Sequence, residues 1–204
     1  MSKRAALAAG ATIVAIGATG CGAASSSSSS TSTAAKPSKS VNPNAPETNA
    51  AGDIPDNQVY VRFAPPGGSF SVKVPEGWSR TTTGGATIFT DKLNAVRLET
   101  VPASGPPTVA QVRKRELPKL ASTVQGFRPS KVTTVSRSAG SAVRISYLAT
   151  AKPNPVTGKT GQDAVERYVF FHKGHAAVLT LSGPKGADNV DPWKIVTDSV
   201  RWSG

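Results

Sequence analysis

From residue 59 onward, short segments alternate apolar and polar residues with period two. That alternation limits the chain to folds built on sheets, because successive side chains of a strand point to opposite faces. Val59-Tyr60-Val61-Arg62-Phe63 alternates in this way, and Phe70-Ser71-Val72-Lys73-Val74 repeats the pattern before stopping at Pro75. Residues 86–90 and 95–101 follow; in the latter, Val96 and Leu98 face one way and Arg97 and Glu99 the other. Residues 132–137 and 142–149 form a second pair, turning at Ser138-Ala139-Gly140. Residues 165–172 and 176–182 flank Lys173-Gly174, a dipeptide suited to a tight hairpin because Gly accepts positive φ. In that hairpin both faces are partly apolar, with Phe170 and Leu179 on one and Phe171 and Val178 on the other. A sheet apolar on both sides calls for cover on both sides.

Two helices are predicted to supply it. Thr108 with Gln111 reads as a capping box, and Val109, Val112, Leu117, Leu120 and Val124 recur at helical spacing behind it. Pro118 sits inside this run and predicts a kink or break near Lys114–Leu117. The second helix is expected to start with Asp191 as N-cap and Pro192 in the first position, with Trp193, Val196 and Val200 lining its inner face.

Ahead of this domain the sequence changes character. Met1-Ser2-Lys3-Arg4 is a short positive stretch, followed by the uncharged, mostly small and apolar residues 5–18. That length matches the apolar region of a signal peptide and is too short to span a bilayer. The stretch ends Ala18-Thr19-Gly20-Cys21, which is similar to a bacterial lipobox, where the Cys thiol receives a diacylglycerol and cleavage leaves it as the first residue. The motif usually carries Leu where this chain has Ala18, and the same small residues also fit ordinary signal-peptidase cleavage. Residues 1–20 therefore read as a lipoprotein signal peptide and Cys21, the chain's one cysteine, as the lipid attachment site. A single Cys also leaves no intramolecular disulfide. Residues 21–58 read as a flexible linker: six consecutive Ser from Ser25 to Ser30, then Pro37, Pro43 and Pro46, with Val41 and Ile54 the large aliphatics. Such a segment buries too little to offset its chain entropy and reaches about 35 Å.

Residues 59–204 remain as a single domain, long enough to bury a substantial core. It carries 20 basic and 9 acidic residues, a net charge of +11. Its densest basic run, Arg113-Lys114-Arg115 with Lys119 nearby, falls on the first predicted helix and is expected on the outward face. It is either a solvated helix face or a contact for anionic lipid headgroups, phosphorylated wall polymers or an acidic partner. Nucleic acid is not an expected partner of an exported chain.

Catalytic signatures are missing. Gly158-Lys159-Thr160 lacks the earlier Gly of a phosphate-binding loop, since Pro153 stands there, and a strand-like run follows it where a helix is needed. His172 and His175 would sit opposite each other across the Lys173-Gly174 turn, but two ligands make no firm metal site. The nine acids are scattered, and no nucleophile motif is present. Trp78, Trp193 and Trp202 read as core or rim packing. No cofactor and no metal are expected, and no catalytic residue is assigned.

Two signatures carry a resemblance. Phe70-Ser71-Val72-Lys73-Val74-Pro75-Glu76-Gly77-Trp78 is an alternating strand closed by Pro-x-Gly-Trp, and the chain ends Ile195-Val196-x-x-Ser199-Val200-Arg201-Trp202 after a hydrophobic hairpin. Together with the strand order, these resemble the Mog1/PsbP-like fold and, more narrowly, actinobacterial lipoproteins of the LpqN type. The resemblance implies an α+β domain, an antiparallel sheet sandwiched by helices, and a non-catalytic binding or assembly role. The combined expectation is a lipid-anchored accessory module on the outer face of the cell membrane, working with an envelope protein or a lipid or wall polymer. The alternatives are a carrier of a lipid or amphipathic ligand held between sheet and helix, and an uncatalogued hydrolase.

Overall fold

Ten strands and two helices follow one another along the chain. They are β1 (Tyr60–Phe63), β2 (Phe70–Pro75), β3 (Ser79–Thr83), β4 (Ala86–Asp91), β5 (Asn94–Pro102), α1 (Val109–Thr123), β6 (Arg128–Arg137), β7 (Gly140–Thr150), β8 (Gln162–His172), β9 (His175–Pro184), α2 (Val190–Asp198) and β10 (Arg201–Trp202). The computed structural model describes residues 51–153 and 157–203, so the expected signal peptide, Cys21 and most of the expected linker lie outside the described residues.

The fold is α+β, with two antiparallel sheets. The larger has strand order β3-β4-β5-β9-β8-β7-β6 and the smaller β1-β2-β10. Every alternating segment of the sequence is a strand. The hairpin between β8 and β9 turns through Lys173 and Gly174, both at positive φ (43° and 82°), and pairs His172 directly with His175. Two strands carry no readable pattern. All five residues of β3 are exposed, and this Ser-Arg-Thr-Thr-Thr segment pairs with β4 at the sheet edge without burying a face. The two-residue β10 pairs Arg201 with Ser71 and Trp202 with Phe70.

The larger sheet is covered unequally. Val96 and Leu98 of β5, Tyr168 and Phe170 of β8, and Leu179 and Leu181 of β9 pack beneath Phe70, Val72 and Val74 of β2 and Trp193 and Val196 of α2. Full burial of each such side chain contributes about 1.5–3 kcal/mol. On the opposite face a smaller cluster joins Val132, Val143, Ile145, Tyr147 and Val165 to Val112, Leu117 and Leu120 of α1. The expectation of cover on both sides is thus met over β6, β7 and the Val165 end of β8 only: α1 leans over that end of the sheet.

Three further expectations are corrected. Helix α1 runs through Pro118 without interruption; the ring removes one intrahelical hydrogen bond but sits on the exposed side. Asp191 is not the N-cap of α2. Asn189 holds that position, and its side chain makes no cap hydrogen bond. It turns instead toward the segment before β1, where it accepts from the Ile54 N–H (2.8 Å) and donates to the Gly52 carbonyl (3.0 Å). Asn94 donates to the same carbonyl, and the two side chains bond each other, each link at 3.0 Å. Gly183 makes room for the pair, since a Cβ there would collide with the Asn94 amide oxygen. The expected linker boundary at residue 58 therefore falls too late. Ile54 is 5% exposed and belongs to the main core, because one aliphatic side chain with its backbone satisfied by two buried amides is enough to pin the segment.

Candidate functional site

The uncovered half of the sheet forms the floor of an open groove of about 1050 Å³, walled on one side by α1 and at its mouth by the Pro102–Pro107 connection. Strand register sets its chemistry in rows. Arg97 of β5, Thr180 of β9 and Arg167 of β8 lie side by side. The next row is Glu99, Val178 and Val169, and the one after it contains Val101 and Ala176. The floor thus passes from charged to aliphatic along the strand direction.

At the charged end one carboxylate sits between two guanidinium groups. Arg97 Nη2 donates to Glu99 Oε1 and Arg167 Nη1 to Glu99 Oε2, both at 3.1 Å. Arg167 Nη1 also donates to Thr180 Oγ1 at 2.9 Å, while its Nε is buried without a partner. Burial alone would raise the Glu99 pKa. The hydrogen bond from Arg97 and the charges of both arginines outweigh it and hold the carboxyl below its ordinary value. Burial pushes the nearby Tyr147 hydroxyl up.

Helix α1 supplies the wall. The capping box forms as expected: Thr108 Oγ1 accepts from the Gln111 N–H (3.2 Å) and Gln111 Oε1 from the Thr108 N–H (3.1 Å). Residues four apart share a helix face, so Gln111, Arg115 and Lys119 line the groove together. The basic run expected on one outward face is thereby divided. Arg115 and Lys119 face the groove, whereas Arg113 and Lys114 are exposed and take no part in it. Lys119 pairs with Glu116 at 3.6 Å; Arg115 has no polar partner among the described residues. Arg97, Glu99 and Arg167, the centre of the charged end, were not singled out as site residues from sequence. Their one signal is charge at alternate positions of a strand.

The remaining candidates sit elsewhere. The His172 ring stacks on Trp202 at 5.2 Å, and His175 Nδ1 lies 3.2 Å from the Lys173 carbonyl. No group of three metal-ligating side chains occurs among the described residues. Gly158-Lys159-Thr160 leads directly into β8, a strand where a phosphate-binding loop needs a helix. Trp78 and Trp202 pack on the main core and Trp193 lies within it, in keeping with the packing role expected of all three. Ser199 Oγ accepts from the Lys73 N–H and donates to the Val196 carbonyl, both at 2.7 Å, a structural role.

The domain is α+β with a PsbP-like fold, which is the fold expected from the signatures at residues 70–78 and 195–202. The solved structure of cyanobacterial PsbP (CyanoP) from Synechocystis superposes with a TM-score of 0.52 at 12% identity, over 74% of this chain and 98% of that one. LpqN of Mycobacterium tuberculosis, a protein involved in cell envelope biogenesis, matches at TM-score 0.41 and 15% identity over 73% and 87% of the two chains. The yeast Ran-binding protein Mog1p from Saccharomyces cerevisiae matches at 0.41 and 10% over 69% and 87%. The chain spans about half the length (48%) of a Bacteroides thetaiotaomicron protein that it also matches. No protein-family profile and no curated protein sequence match the chain.

Proposed function

We propose that this protein is an exported, lipid-anchored accessory module of the cell envelope that works by binding rather than by catalysis, with the α1 groove as its binding surface. The observation that carries the reading is the half-open sheet face. A fold that covers the central strands β5, β9 and β8 on one side leaves much of them uncovered on the other, in a concavity of ligand size. A non-catalytic role is supported by the state of the acids there: Glu99 is clamped by two arginines, and Glu116 is paired with Lys119. Both oxygens of Glu99 are thus occupied by guanidinium donors. Anchoring rests on Cys21 and the apolar segment before it. Two acyl chains on that thiol would hold the protein firmly, since each buried CH₂ contributes about 0.8 kcal/mol.

The carrier reading gains from the aliphatic stretch of the floor, Val101, Val169, Ala176 and Val178. The test is native mass spectrometry of the full-length protein, extracted in mild detergent from its own envelope. A covalent mass excess on the N-terminal peptide and its loss in Cys21→Ala are the expected results for the anchor. A non-covalent adduct, small molecule or polypeptide, that is lost in the groove-filling variant Val101→Trp is the expected result for the groove. Unchanged membrane attachment together with unchanged processing of Cys21→Ala contradicts the anchor, and an adduct indifferent to Val101→Trp contradicts the groove.

A further inference from the structure

We infer that the groove binds a single acyl chain ending in an anionic head, a carboxylate or a phosphate monoester; this rests on the reading of the groove as the binding surface. Charge selects the head. Arg97, Arg115, Arg167 and Lys119 face the cavity against Glu99 and Glu116, an excess of two positive charges. Glu99 occupies one nitrogen of Arg97 and one of Arg167, which leaves further guanidinium donors of Arg97, a third exposed, for an incoming anion. Arg115 stands opposite on α1 with no polar partner among the described residues.

The floor selects the tail. From the Arg97 row to Val101 the strand advances roughly 13 Å at about 3.3 Å per residue, past Val178, Val169 and Ala176. Two other ligand classes find less to hold them. A sugar is usually held on an aromatic platform, and Tyr147 is the one aromatic side chain lining the cavity; all three Trp pack with the opposite core. An extended peptide needs free backbone groups, and β5, β9 and β8 are each paired on both sides. An acyl chain makes no such demand. Of the exposed large aliphatics, Val59 and Val61 lie on or beside β1 and Val190 on α2; Ile195 of α2 lines a concavity of about 400 Å³ beside Arg62, Lys73 and Arg201, less than half the volume of the groove that holds Val101.

The experiment uses the full chain in phosphatidylcholine nanodiscs, dialysed to equilibrium against decanoate, decyl phosphate, decanol and inorganic phosphate, with protein-free nanodiscs as the blank. Decanoate and decyl phosphate are expected to bind saturably, one per chain, and at least tenfold more tightly than decanol or inorganic phosphate. Arg115→Gln, which removes a charge that has no polar partner among the described residues, is expected to weaken both anionic amphiphiles severalfold and leave decanol unchanged. Combining it with Arg97→Gln is expected to deepen the loss to tenfold or more. Equal binding of decanol and decanoate overturns the inference, as does equal binding of inorganic and decyl phosphate, or amphiphile binding that survives Val101→Trp intact. If no amphiphile binds while Val101→Trp still strips the native adduct, the ligand class is wrong and the groove reading stands. If Val101→Trp alters neither, both fall.

Discussion

Glu99 shows how a charge can be half-buried in a sheet and still stabilise it. Its two oxygens accept from different arginines on different strands, so the carboxylate ties β5 to β8 across β9. Glu99→Gln removes the charge and leaves two guanidinium groups facing each other, at an expected cost of about 1–3 kcal/mol at neutral pH. The folded-state pKa lies below the ordinary 4.5. The ionised form therefore contributes fully above that value, and its contribution is lost as pH falls through the folded pKa. Urea unfolding curves of wild type and Glu99→Gln should differ constantly from neutrality down to about pH 4.5 and converge in more acidic solution. A difference independent of pH would mean that packing, not charge, is responsible. Tyr60 presents the opposite case. Its hydroxyl is buried without a partner, and burial pushes its pKa up to about 12. Tyr60→Phe should be neutral or stabilising by up to about 1 kcal/mol. It should also reduce, by the share of Tyr60, the loss of stability that sets in as pH rises from 10.0 toward about 12, since the unfolded chain ionises first there; burial also pushes the Tyr147 and Tyr168 hydroxyls up, and their shares remain. Measured alkaline melting temperatures of the two proteins decide this.

Among the elements, α1 departs furthest from what its residues foretell. Its capping box and apolar repeat are legible, yet Pro118 predicts a break that does not occur, because packing of Leu117, Leu120 and Val124 on the smaller cluster outweighs one lost hydrogen bond. Pro118→Ala restores a donor to the carbonyl one turn earlier and should raise stability by about 1–2 kcal/mol by thermal unfolding. Destabilisation would show that the ring positions the groove wall. The strands divide by whether they bury a face. Alternation in β2, β5 and β7 marks them at once, while β3 has five exposed residues and β10 only two, so neither leaves a periodic trace. The groove was out of reach for a related reason. Which residues share a row depends on β5 pairing with β9 some eighty positions later in the chain, and no local pattern announces that register. The run Arg113-Lys114-Arg115 stands out in the sequence, but helical geometry sends only Arg115 of the three into the cavity.

For the molecule as a whole, the boundary drawn from composition stands a few residues from the one drawn by packing. A chain beginning at residue 59 would lack the Ile54 side chain and the Gly52 carbonyl, leaving the amides of Asn94 and Asn189 short of partners. It should be less stable by about 3 kcal/mol or more than a chain beginning at residue 46, from one lost aliphatic burial and the unpaired amides together. Chemical denaturation of the two truncations measures the difference, and equal midpoints would place the segment outside the cooperative unit. The two clusters of apolar side chains on opposite faces of one sheet have a consequence for motion. The sealed side holds the small sheet and α2, and its integrity does not pass through α1. The helix can therefore unclasp as a unit, its amides exchanging with solvent while those of β5 and β9 stay protected. One wall of the groove is thus an element whose release leaves the main core intact.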